Sequence, residues 1–285
     1  MADSKHDPRL TPARPDLAAR HLEGVVSAAR YVNGTDYFVA DGVAPLHREP
    51  SAASPLETQA LKGERITIYE INDEGWAWGQ LADDGYVGWI PDRALLKSAA
   101  AATHKVDTPR TFAFSGPSIK LPPRDTLPLG AKVAIEHEEG AFAITRDGLY
   151  LPARHVVSLN SVADDFVTVA EKFVTTPYLW GGKTALGIDC SGLVQISLAA
   201  CGKAAPRDSD MQENGLGETL PPSQWQTLKR GDLIFWKGHV AIARDADTIV
   251  HANAHHMATT IEPVSEAIAR IKATGSDVTS IKRLR

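Results

Sequence analysis

Cysteine is nearly absent: the 285-residue chain has two, Cys190 and Cys201. That excludes a disulfide framework and a four-cysteine zinc site, and leaves a buried thiol, a reactive thiol or one bridge. The two cysteines lie eleven residues apart on what reads as one helix. At 1.5 Å rise per residue that is about 16 Å, against the roughly 5.5–6 Å Cα separation of a disulfide, so on a helix they cannot pair. Long apolar runs are also missing. No window approaches the roughly 18 uninterrupted apolar residues of a membrane span. No block of like charge stands out and the formal net charge is −5, which speaks against a nucleic-acid partner, because phosphate binding needs a basic face. Residues 1–17 carry no apolar core behind their charges, so no secretion signal and a cytoplasmic setting are expected. What is present is ordinary for a globular chain, 43% apolar and 23% charged residues, at a length that fits two or three domains.

Taken in order, residues 1–30 read as a Pro-rich arm ending in a short helix, with Leu17, Ala18, His21, Leu22 and Val25 at helical spacing. Residues 31–97 turn β-rich. Ile66 and Ile68 alternate with Thr67 and Tyr69, NDEGW and ADDGY read as turns, and four or five short strands are expected. The close of this segment, GYVGWIPDRAL, resembles the final strands of bacterial SH3-like barrels. Residues 98–104 are an Ala-rich linker. Residues 105–160 repeat the order strand, Pro-rich loop, Gly-led strand, acidic turn, strand, DG turn, strand, and read as a second, diverged barrel. Residues 161–285 mix types: a helix over 163–174, a helix over 190–201 stopped by Gly202, loops over 203–230, strands at 233–236, 239–244 and 248–254, a helix over 265–274 and a terminal strand. The fold class expected is multidomain, two small all-β SH3-like barrels followed by an α+β domain.

Cys190 sits where the Gly-rich run PYLWGGKTALGID enters the amphipathic pattern CSGLVQISLAAC. Asp189 is placed to cap the helix, which puts Cys190 in its first turn, where unsatisfied N–H groups and the helix dipole favour a thiolate. The same N–H groups could serve an oxyanion, the Cys190 amide first among them. A buried inert thiol is the alternative, and it is the reading for Cys201. A thiol nucleophile needs a base, and the base needs an orienter. His239 and His251 stand on two apolar runs joined by the turn-forming cluster Arg244–Asp247. A hairpin centred on Asp245 makes them direct cross-strand partners. A zinc site from His251, His255 and one cysteine lacks further ligands at familiar spacing, so no metal and no cofactor is expected.

Six motifs in this order, PYLWGG, GIDCSGLVQ, RDSDMQ, GDLIFW, GHVAIA and VHANAHHM, resemble those of the NlpC-type papain-like cell-wall cysteine peptidases, over about 125 C-terminal residues. The preceding β modules make the whole similar to the branch of γ-D-glutamyl-L-diamino acid endopeptidases (dipeptidyl-peptidase VI). The resemblance implies Cys190 as nucleophile, His239 as base and His251 as the polar residue orienting it. It implies a pocket for L-Ala-γ-D-Glu lined by Tyr178, Asp189, Ser191 and Ser209. From the first barrel it implies Glu57 and Tyr86 as contacts to the free amine. The partner it implies is a murein-derived peptide, L-Ala-γ-D-Glu-diamino acid. The alternatives are a non-catalytic wall-binding or scaffolding protein, and an amidase or acyltransferase on the same scaffold.

Overall fold

The protein is described by a computed structural model covering residues 6–284. The chain divides into two compact units, one ending at Leu159 and the other starting at Asn160.

In the first unit the arm does not form the expected helix. Ala18–Ala19 is a strand pairing in parallel with Tyr31–Val32, and only Arg20–Leu22 makes a 3-10 turn. Pro12 and Pro15 bias the backbone around them to extended conformations. Leu17 is then drawn to full burial against Trp78 and Trp89, a gain that outweighs a marginal local helix preference. Arg14 lies over both indoles, 4.4 and 4.8 Å from their ring centres.

Seven antiparallel strands follow, more than the four or five expected. From edge to edge they are Leu56–Leu61, Val43–His47, Val87–Pro91, Trp76–Leu81, Arg65–Ile71, Thr35–Val39 and Leu95–Leu96. Ile66 and Ile68 point into a core with Leu46, Leu81 and Ile90, as the alternation predicts. A second all-β module has a three-stranded and a five-stranded sheet around Val106, Leu127, Val133 and Leu151. Its first strand is His104–Val106, so His104, read as linker, already belongs to a sheet. The two modules join where Lys132 N donates to the Lys62 carbonyl at 2.8 Å and Lys132 Nζ meets Asp83 at 2.7 Å.

The second unit is built on a six-stranded antiparallel sheet, in the order Glu218–Thr219, Val278–Arg283, Leu233–Trp236, His239–Ala243, Thr248–Asn253, Ala258–Pro263. The helices are α1 (Phe166–Glu171), α2 (Cys190–Ala200), α3 (Ser209–Gly215) and α4 (Val264–Ala273). α1 is shorter than the sequence pattern, α3 falls in a stretch read as loop, and the strand Ala258–Pro263 falls between the strand expected at 248–254 and the helix expected over 265–274. Ala241, Ala243 and Ile249 pack with Ala267 of α4 in one core. Their neighbours Val240, Ile242 and Val250 are also fully buried, so both faces of the sheet are covered. α2 contacts both the His239–Ala243 and the Thr248–Asn253 strands. Every residue from Cys190 to Leu198 is buried. The helix is therefore central rather than exposed on one face, and its polar side chains Ser191 and Gln195 are buried with it and hydrogen-bonded to Arg207 and the Ala205 carbonyl.

Candidate active site

The start of α2 is held by one carboxylate. Asp189 caps the helix, its Oδ1 accepting from Gly192 N at 2.7 Å, and its Oδ2 accepts from Gly181 N at 2.8 Å. Arg207 pairs with both oxygens, at 2.9 and 2.7 Å, and also donates to Ser191 Oγ at 3.0 Å. Arg207 and Asp189 are both buried. This fork-on-fork geometry offsets the cost of burying two charges. The glycines of the two flanking motifs let the backbones approach. A Cβ on Gly192 would sit 2.3 Å from the Gly182 carbonyl oxygen, and one on Gly182 would sit 2.4 Å from that of Gly187.

Cys190 is buried and unbridged. The expected lowering of its pKa is not what the surroundings produce. Burial, then the neighbouring Asp189 carboxylate, push the thiol up to about 12, against the Val240 and Ser191 backbone N–H groups that favour the anion. The helix N-terminus is outweighed because Asp189 already occupies its donors and brings a negative charge of its own. The Val240 contact places the sulfur beside the residue that follows His239.

The hairpin is centred on Ala246, not Asp245. Ile242 pairs with Val250 and Ala243 with Ile249. Asp245 Oδ1 accepts from both Asp247 N and Thr248 N, which makes a three-residue loop and moves the register by two. His239 and His251 are therefore not directly opposite. They meet diagonally, with His239 Nε2 2.9 Å from His251 Nδ1 and ring centres 5.1 Å apart. His251 is fully enclosed, and its Nε2 lies 2.6 Å from Glu262 Oε1 on the Ala258–Pro263 strand. Glu262 in turn receives Arg270 of α4 on both oxygens, at 2.5 and 2.6 Å. Burial pushes His239 down to about 3, helped by the nearby His251 and Arg270 and opposed by Glu262. Burial also lowers His251, although Glu262 pulls the other way. For Glu262 burial favours the neutral acid, but His251 and Arg270 outweigh it and hold the carboxyl at about 2.

Of the remaining expected site residues, Tyr178 is half-buried. Its hydroxyl is pushed above the usual phenol range by burial and then by Cys190 and Asp189, which places it close to both. Ser191 is buried and Ser209 opens α3, half-buried. In the first unit Tyr86 Oη donates to Glu57 Oε2 at 3.3 Å, and Arg48 pairs with Glu57 Oε1 at 2.6 Å. Both line a cleft of about 850 Å³ with Arg14, Trp78 and Trp89. His251 uses both ring nitrogens within this row and His256 faces Asn253. Among the described residues no group of three or more His, Cys, Asp or Glu side chains is arranged to hold a metal ion, and no helix is long and apolar enough to cross a membrane.

Arg207, Glu262 and Arg270 were not among the residues expected. Arg207 stands inside the RDSDMQ motif, where a buried anion at Asp189 was the available signal. Glu262 lies in TTIEP, where no turn signal marks the strand that carries it.

Comparison with known proteins agrees with this layout. Residues 175–276 match the NlpC/P60 family, and residues 46–95 match the bacterial dipeptidyl-peptidase Sh3 domain. A γ-D-glutamyl-L-lysine dipeptidyl-peptidase of Bacillus cereus is 29% identical over 241 residues, covering 70% of this chain and 68% of its own. Dipeptidyl-peptidase 6 of Lysinibacillus sphaericus is 26% identical over 234 residues, covering 74% and 85%. The crystal structure of an NlpC/P60 family protein from Bacillus cereus superposes with a TM-score of 0.73 at 20% identity, over 87% of this chain and 99% of that one.

Proposed function

We propose, for a chain that belongs to the NlpC/P60 family of cysteine peptidases, that it hydrolyses the bond between γ-D-Glu and the diamino acid in murein peptides with a free N-terminal L-Ala. The observation that carries this reading is the placement of the Cys190 sulfur against the amide of Val240, the residue that follows His239, whose ring is held by His251. In the reaction the Cys190 thiol gives its proton to His239 as the sulfur attacks the γ-carbonyl carbon. His239 then protonates the departing amine of the diamino acid. A water, deprotonated by His239, cleaves the thioester and restores the thiol. The backbone N–H groups at the start of α2 are the nearest donors for the developing oxyanion.

Tyr178, Ser191 and Ser209 are the proposed pocket wall. Asp189, already bound by Arg207 and two amides, shapes that wall while capping α2. Glu57 and Tyr86 are the proposed amine contacts. A carboxylate there favours a free ammonium and disfavours a blocked one. We read residues 105–160 as a second, diverged SH3-like barrel and the C-terminal unit as papain-like. The proposed role is recycling of murein peptides in the cytoplasm. Both cysteines are free thiols, which fits a reducing compartment.

The test is incubation with L-Ala-γ-D-Glu-L-Lys and its diaminopimelate counterpart, with L-Ala-γ-D-Glu release followed by mass spectrometry. Release by the wild type, none by Cys190→Ala, and none from the N-acetylated peptides is the expected result. Turnover by Cys190→Ala would overturn the mechanism, and equal rates on acetylated peptide would remove Glu57 from the site.

A further inference from the structure

The row that begins at His239 does not end at His251. Three adjacent strands each contribute one side chain to it. The His251 strand pairs with the Ala258–Pro263 strand so that His251 faces Thr260 and Ile249 faces Glu262. Glu262 thus reaches His251 diagonally, as His251 reaches His239, and α4 starts directly after Pro263 and brings Arg270 back over the carboxylate. Ser, Thr or Asn would satisfy a histidine N–H at this position with a neutral acceptor. A buried carboxylate clamped by a guanidinium is a more demanding arrangement, because either charge left alone in this setting is strongly unfavourable.

The chemistry of the row has one consistent assignment of hydrogens. Glu262, ionised by its pairing with Arg270, can only accept, so His251 Nε2 carries hydrogen. His251 Nδ1 is then an acceptor, and His239 Nε2 must donate to it. The lone pair of the His239 ring is left on Nδ1. Asn253 Nδ2 also lies 3.1 Å from His251 Nε2, but it donates to Thr260 Oγ1 at 3.0 Å while its Oδ1 accepts from His256 N, so it does not compete for the carboxylate.

We propose that Glu262, clamped by Arg270, is a positioning residue that sets the tautomer of His251 and through it that of His239, so that Nδ1 of His239 is the proton acceptor in catalysis. This rests on the reading of Cys190 and His239 as nucleophile and base. Glu262 touches neither substrate nor thiol, and its influence on turnover passes through two imidazoles.

The experiment uses the full chain with 15N-labelled histidine rings. Long-range 1H–15N spectra report the tautomer of each ring whether or not the chosen peptide is cleaved, which separates this inference from the substrate assignment. In the wild type both His239 and His251 are expected as Nε2–H. In Glu262→Gln both are expected to lose that single tautomer, and kcat on the peptide is expected to fall about 10- to 100-fold with KM within about twofold, the scale at which partners behind the reacting groups act. Should Glu262→Gln fail to fold, Glu262→Ala with Arg270→Ala removes the pair without leaving a lone charge. A wild-type His239 carrying hydrogen on Nδ1, or a folded variant with unchanged tautomers and unchanged kcat, would overturn the proposal.

Discussion

Cys190 starts from a neutral thiol and His239 from a neutral imidazole. Burial pushes the first up to about 12 and the second down to about 3, so a standing thiolate–imidazolium pair is disfavoured from both sides. Proton transfer then belongs to the moment of attack, when substrate carbonyl and backbone donors take up the charge. Alkylation by iodoacetamide is a direct reading of this. Labelling of Cys190 is expected to be slow at pH 7 and to rise about tenfold per pH unit toward alkali, as thiolate content does. A fast rate that is flat from pH 5 to 8 would show a preformed ion pair instead. A helix-capping Asp and a first-turn Cys were legible in the sequence as neighbours. Their opposition was not, because it depends on how deeply the fold buries the sulfur and on which donors the cap has already taken.

At the scale of elements, the site depends on how closely two turns pack at the start of α2. Gly192 is the contact point, with no room for a methyl group against the Gly182 carbonyl. Gly192→Ala forces Asp189 and the PYLWGG turn apart. It is expected to cost about 1–3 kcal/mol, as overpacked sites do, seen as a lower thermal midpoint, with a larger proportional loss of turnover than of stability. Wild-type melting and turnover in this variant would mean that the turn yields without disturbing the thiol. Strand and helix identities around the site were readable from periodicity: LIFW, HVAIA and TIVHAN are strands, and CSGLVQISLAA is a helix. The hairpin register was misread by two because Asp245 builds a three-residue loop rather than standing at its centre. The Ala258–Pro263 strand was missed because its turn contains no Gly or Pro. Met257 takes the left-handed conformation there, at φ 51°, where a glycine would have been the recognisable signal. With that strand hidden, Glu262 had no address.

For the molecule as a whole, the buried row makes acid the natural enemy of the C-terminal unit. His239 has a folded pKa below its unfolded one, so the unfolded chain binds the proton more readily. The stability this contributes is full above about pH 6.5 and is lost as pH falls toward 3. Glu262, held at about 2, has the same sign and acts over a lower window, from its ordinary carboxyl value downward. Each such group changes stability by about 1.4 kcal/mol per pH unit inside its window. Calorimetry from pH 8 to pH 3 should show the C-terminal transition falling first through the histidine window, and His239→Gln should flatten that part of the slope. An unchanged slope would assign the proton uptake to other groups. None of this was visible in composition, since ten histidines say nothing of which are enclosed.

The buried arm of the first unit bears on how such modules can be exchanged between proteins. The stretch that matches the Sh3 family runs from 46 to 95, yet Leu17 fills the space against Trp78 and Trp89, and Arg14 stacks on both rings. The piece that folds is therefore longer than the piece that is recognisably inherited. A recombination event that carried only the recognisable piece into a new host would deliver two uncovered indoles with it. Such a transplant would persist only where the host supplied a cover of its own, so the arm and the module behind it are tied to travel together.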